Sequence, residues 1–223
     1  MATPRKARPR TGADSDTVRK IISRLEKAHP DAKLDLDFAN PLELLIALIL
    51  AAQARDDLVN KVTVELFKAN RTAADFANMA LPKLESQIGK INFYRNKAKS
   101  IHNCCKDLIE RFGGRVPDNL EDLVSLPGVG RKTANIVLGN AFGQQAIGVD
   151  THVMRLSQRL GFTAKTDPDK IEADLMDIVP AKQRVRVCHL MQYHGRRVCF
   201  AKKPKCPECT IKELCPFKDK TKG

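Results

Sequence analysis

The chain has 223 residues, enough to bury one large core or two small ones, and its 39 Lys and Arg against 26 Asp and Glu give a formal charge of +13. The excess sits at the two ends: residues 1–10 carry Arg5, Lys6, Arg8 and Arg10 with no acid, and residues 182–223 carry twelve Lys or Arg against three acids, so residues 11–181 are formally neutral. Basic ends suit a polyanion, although charge alone would equally describe a basic protein without one.

A membrane role is not expected. The longest apolar run, residues 44–52, falls far short of the roughly 20 residues of a spanning helix, and the basic start lacks the apolar stretch of a signal peptide. Seven cysteines without a secretory signal argue for thiols in a reducing compartment, the cytoplasm, and against a disulfide framework.

In chain order, residues 1–16 are rich in Pro, Arg and Ala and read as a disordered basic arm. Asn40-Pro41-Leu42-Glu43 then supplies an N-cap, a proline for the first helical position and a capping glutamate. The run that follows is apolar on every side, as a central core helix must be. Asp118 and Glu121 open a short helix before a Gly/Pro hairpin. Asp167-Pro168 opens another that ends near Pro180, with Ile171, Leu175, Ile178 and Val179 at helical spacing. Alternating β-branched stretches are nearly absent, so the expected class is all-α.

The hairpin reads Leu126-Pro127-Gly128-Val129-Gly130-Arg131-Lys132, and a second helix is expected from about Arg131 to Asn140. Two glycines two apart let the backbone turn sharply and approach a ligand. The free N–H groups at the helix start then form an anion site, the physics of a helix-hairpin-helix phosphate clamp. The candidate DNA contacts here are Gly128, Val129, Gly130 and Arg131. Lys132 lies in the first helical turn beside Arg131, where the helix dipole and a neighbouring cation both favour a neutral amine over a further positive charge. A neutral amine can attack a sugar carbon and form a Schiff base. On this argument alone, a phosphate-contacting lysine is the safer reading. Asp150, in Val149-Asp150-Thr151-His152, can cap a helix over residues 151–160, and the helix start favours its anion. Such a carboxylate suits stabilisation of a sugar cation or assistance of proton transfer.

Cys199, Cys206, Cys209 and Cys215 form C-x6-C-x2-C-x5-C, four thiols within seventeen residues. Packing does not explain that density. Chemistry alone allows zinc or an iron–sulfur cluster, although zinc ribbons more often show two Cys-x2-Cys pairs. Cys104, Cys105 and Cys188 fall outside the pattern. Between the first two cysteines lie Lys202, Lys203 and Lys205, a basic loop suited to phosphate.

Residues 126–134 followed by 149–152 resemble the endonuclease III family of DNA glycosylases, a likeness that runs from about residue 17 to the C-terminus. The resemblance implies two helical domains, residues 34–144 with the hairpin and residues 17–33 plus 145–223 with a C-terminal [4Fe–4S] cluster loop. It decides for iron at the four cysteines. It implies that Lys132 attacks C1′ of a damaged nucleotide, with Asp150 the essential carboxylate, releasing oxidised pyrimidines and cleaving the abasic site by β-elimination. Flipping of the base precedes the chemistry. Gln53 and Phe93 are then the candidates to fill the hole, Phe93 as an apolar wedge, while Arg55 stands where a smaller polar residue is usual. Double-stranded DNA with damaged bases or abasic sites is the expected partner of a monomer working at a bacterial nucleoid. The adenine-mismatch glycosylases typically lack the lysine and add a C-terminal domain, for which the eight residues after Cys215 leave no room. The reading from another class is a non-catalytic helix-hairpin-helix DNA-binding protein.

Overall fold

The computed structural model describes residues 12–222. Of the arm expected over residues 1–16, residues 1–11 lie outside the described residues, and the remainder corrects the boundary. Helix α1 (Ser15–Ala28) already begins at Ser15, because the Asp14 carboxylate accepts the Asp16 and Thr17 N–H groups at 2.9 Å each. Among the described residues there are eleven α-helices, three short 3₁₀ helices and no strand. No helix among them is long and apolar enough to cross a membrane.

The chain divides into two compact units. One runs from Leu34 to Ala146, and the other joins the chain up to Lys33 to the chain from Ile147 onward. The first contains α2 (Pro41–Ala51), α3 (Asp56–Ala69), α4 (Ala73–Asn78), α5 (Leu81–Gln87), α6 (Tyr94–Phe112), α7 (Leu120–Ser125) and α8 (Arg131–Ala141). Its centre is α2, where every residue from Leu44 to Leu50 is buried and α3, α6 and α8 pack around it. Asn40 caps α2 by accepting the Glu43 N–H at 3.0 Å, while Glu43 reaches back one residue further than a capping box does, to the Ala39 N–H at 2.7 Å. The cap of α7 is Asn119, not Asp118: Asn119 accepts the Asp122 N–H at 2.9 Å, whereas the Asp118 carbonyl accepts from the Gln144 side chain.

The second unit contains α1, α9 (Thr151–Arg159), α10 (Pro168–Ile178) and α11 (Arg184–Arg197), with 3₁₀ helices at Ala181–Gln183, Cys206–Glu208 and Lys212–Leu214. Both α1 and α9 pack on α11, and α10 packs on α9. Val18, Ile21, Ile22 and Leu25 of α1 meet Leu156, Ile171, Leu175, Leu190 and Met191 in one core. Asp167 caps α10 through the Lys170 N–H at 3.0 Å.

Candidate functional site

The hairpin is built as its glycines require, though for partly different reasons. Gly128 has φ 79°, a left-handed conformation, and a Cβ there would lie 2.8 Å from the Ser100 Cβ on α6. Its freedom is therefore spent on packing the hairpin against its own unit. Gly130 caps α8 with φ −88° and has open space where a Cβ would stand, so a ligand can approach its backbone. Among the described residues neither the Gly128 nor the Gly130 N–H has a partner. Val129 departs from the expected contacts. Its side chain is buried in the core and its N–H bonds the Leu126 carbonyl at 3.1 Å, because the turn closes on itself. Arg131 and Lys132 are exposed in the first turn of α8, while Ala134, Ile136, Val137 and Leu138 bury the rest of that helix. An exposed amine thus sits beside a turn with two unpartnered N–H groups, on a helix whose remaining turns are buried.

Two further elements of this unit carry the expected wedge residues. Gln53 (φ 55°) and Phe93 (φ 58°) are both non-glycine residues in left-handed backbone, a conformation that costs energy and persists only where surroundings enforce it. Phe93 is 64% exposed at the start of α6. Tyr94 behind it is half-buried against the core with the Arg95 guanidinium 5.4 Å from its ring centre, which is packing. Arg55 turns away along α3 to Asp57 in a two-pronged pair at 2.9 and 2.6 Å, holding that carboxyl below its ordinary range. Gln53 itself is exposed. Lys97 is buried and donates to two carbonyls at the end of α2, and burial lowers its pKa.

In the other unit Asp150 is half-buried and caps α9, accepting the Val153 N–H at 2.7 Å. One face of α9 then presents two arginines that sequence reasoning missed. Arg155 donates to the Gly195 and Cys199 carbonyls at 3.0 and 3.2 Å and meets the His152 Nδ1 at 3.0 Å. Arg159 donates to the Phe200 and Ala201 carbonyls at 2.7 and 3.0 Å, reaches the Cys199 Sγ at 3.2 Å, and stacks 4.5 Å from the Phe217 ring centre. These bonds fix the backbone of the basic loop, on which Lys202, Lys203 and Lys205 are exposed. The spacing 152, 155, 159 after a cap was the available signal.

The four cysteines line one cavity of about 30 Å³, with Leu156, Leu160, Ile211 and Phe217 among its apolar walls. Among the described residues no three His, Cys, Asp or Glu side chains converge as ligands of a single metal ion. Burial raises the Cys209 and Cys215 pKa values, and neighbouring thiols add to this. The His194 Nε2 lies 3.4 Å from the Cys209 Sγ, and its Nδ1 lies 3.0 Å from the Nε2 of His29. Burial keeps this pair neutral, with His194 pushed down to about 4 and His29 also lowered. Neither histidine carried any sequence motif. Cys104, Cys105 and Cys188 are buried, which pushes Cys104 and Cys188 up to about 12 and Cys105 higher still, as for inert thiols.

Lys132 belongs to the first unit and Asp150 to the second. The hairpin, Gln53 and Phe93 share the first, and the cysteine cavity, its arginines and the basic loop share the second.

The sequence model of the family described as HhH-GPD superfamily base excision DNA repair protein matches residues 46–181. Endonuclease III of Synechocystis sp. is 48% identical over 88% of this chain and 90% of that protein. Endonuclease III of Haemophilus influenzae is 44% identical over 90% of this chain and 95% of that protein. The structure of a trapped endonuclease III–DNA covalent intermediate, an estranged-adenine complex, superposes with a TM-score of 0.87 at 44% identity, covering 92% of this chain and 97% of that one.

Proposed function

Because the chain belongs to the endonuclease III family within the HhH-GPD superfamily of base excision DNA repair proteins, we propose that Lys132 is its nucleophile and oxidised pyrimidines are its substrates. The protein is a DNA glycosylase with AP lyase activity, and its partner is damaged double-stranded DNA. The observation that carries the assignment of Lys132 is its exposure two residues past Gly130, where unpartnered N–H groups can hold a phosphate next to the amine.

In this reading the Lys132 Nζ lone pair attacks C1′ as the glycosidic C–N bond breaks and the base departs with a proton. Opening of the sugar gives an imine between Nζ and C1′. Loss of a C2′ proton then breaks the C3′–O bond and cuts the strand. Exposure of the amine at the helix start leaves its line of attack clear. Asp150 is the carboxylate that steadies cationic character on the sugar, and its cap bond to Val153 keeps it oriented. Phe93 and Gln53 occupy the space of the flipped nucleotide. Gly128, Gly130 and Arg131 hold backbone phosphate, and Lys202, Lys203 and Lys205 extend that grip.

We assign a [4Fe–4S] cluster to Cys199, Cys206, Cys209 and Cys215, on the support of four thiols around one cavity with Arg159 beside one sulfur. Bound there, it supplies a rigid knot for the loop. The working state is a monomer in a bacterial cytoplasm, associated with the nucleoid.

The test is incision of duplexes carrying one oxidised pyrimidine against an unmodified duplex, with iron and sulfide measured on the same protein. Base release and strand cutting by the native chain, with cutting lost in Lys132→Ala, is the expected result. Tight DNA binding without release or cutting would return the chain to the non-catalytic reading. Protein lacking iron and sulfide would remove the cluster assignment alone.

A further inference from the structure

We infer that Lys97 is a positioning residue that holds Gln53 in its projecting conformation by selecting one of two forms of the turn that carries it. The inference rests on the reading of Gln53 as a side chain that fills the space of a flipped nucleotide.

Lys97 lies one turn into α6 and is only 6% exposed. Its ammonium donates to the Leu50 carbonyl at 2.8 Å and to the Ala52 carbonyl at 2.6 Å, and among the described residues no carboxylate pairs with it. Those two oxygens stand at the C-terminal end of α2, where carbonyls lack helical partners and the dipole favours a cation.

The Ala52 bond has the larger consequence, because that carbonyl belongs to the same peptide unit as the Gln53 nitrogen. Ala52 has φ −56° and ψ 114°, Gln53 has φ 55°, and the Ala54 N–H bonds the Ala51 carbonyl at 3.0 Å. These are the features of a type II turn, whose third position favours glycine. A glutamine there relaxes by turning the central peptide through roughly half a revolution into a type I turn, with φ near −90°. That rotation would swing the Ala52 oxygen off Lys97 and leave a buried ammonium short of an acceptor. The lysine therefore makes the strained turn the stable one and sets the direction of the Gln53 side chain.

The experiment uses the cluster-loaded full chain and a duplex with 2-aminopurine beside a reduced abasic site. Stopped-flow fluorescence reports base flipping, and DNA affinity with its salt dependence is measured in parallel. Lys97→Met should slow the flipping phase about tenfold or more while affinity and salt slope stay unchanged. Lys97→Arg, which keeps the cation and its donors, should restore the rate. In a Gln53→Ala background Lys97→Met should cause no further loss, because it acts through that side chain. Unaltered flipping in Lys97→Met, or losses that multiply in the double variant, would overturn the inference. If Gln53→Ala itself flips normally, the reading of Gln53 fails instead. Should Lys97→Met not fold, Lys97→Gln, which cannot reach both carbonyls, is read by the same criteria.

Discussion

At Gly128 two separate requirements coincide, a φ of 79° and a space shared with the Ser100 side chain. Gly128→Ala therefore strains the backbone and pushes the hairpin off α6 together. The variant should lose about 1–3 kcal/mol, seen as a fall of several degrees in Tm. An unchanged Tm would mean the hairpin is held less firmly than its contacts imply. At this scale the sequence is a partial guide. Glycine spacing and the cysteine spacing are visible in one dimension because they reflect local geometry. The burial of Val129 and the buried position of Lys97 are not, since each depends on what another helix brings beside it. Nothing near His29 in sequence announces that it faces His194, 165 residues away.

Among the elements, α9 combines two tasks at its first residue. Asp150 caps the helix and, in the reading given above, also serves the chemistry, and the two roles separate by substitution. Asn is as good a cap as Asp, so Asp150→Asn should change stability by less than about 0.5 kcal/mol. Its strand-cutting rate should nevertheless fall about a hundredfold or more. Asp150→Ala should add a cap loss of about 1 kcal/mol to the same rate defect. A rate near native in Asp150→Asn would reduce the residue to its cap. Helix starts were the most legible elements: Asn40, Asp150 and Asp167 each cap where a short polar side chain precedes an apolar pattern. The errors are single-residue shifts between adjacent candidates, as with Asn119 over Asp118. The run of Arg155 and Arg159 along α9 was missed because arginines on a helix face ordinarily signal solvent, whereas these two turn inward to backbone carbonyls.

At the scale of the whole molecule, charge and fold are arranged differently. Each unit has its own apolar core, and three of the basic residues of the C-terminal segment, Lys202, Lys203 and Lys205, lie on a loop fixed by Arg155 and Arg159. Replacing Lys202, Lys203 and Lys205 together by Ala should weaken DNA binding about equally for all sequences. The slope of log affinity against log salt should fall by up to about 2.7, the value for three lost phosphate contacts. Equal affinity and slope, measured by a salt titration, would show that the loop does not touch DNA. The all-α class was legible because helix-start signals and apolar residues at helical spacing recur while alternating β-branched stretches are nearly absent. The division at residues 34 and 146 was not visible in composition, since no linker of Gly, Pro or Ser marks it.

The central claim is that Lys132 forms the covalent bond to DNA. Borohydride trapping on a duplex with an abasic site, followed by mass analysis of the cross-linked peptide, addresses it directly, because reduction turns a transient imine into a permanent amine. One adduct is expected, carried by Lys132 and absent from Lys132→Ala, while Lys202, Lys203 and Lys205 stay unmodified. An adduct that persists in Lys132→Ala, or maps to another residue in the native chain, would contradict it.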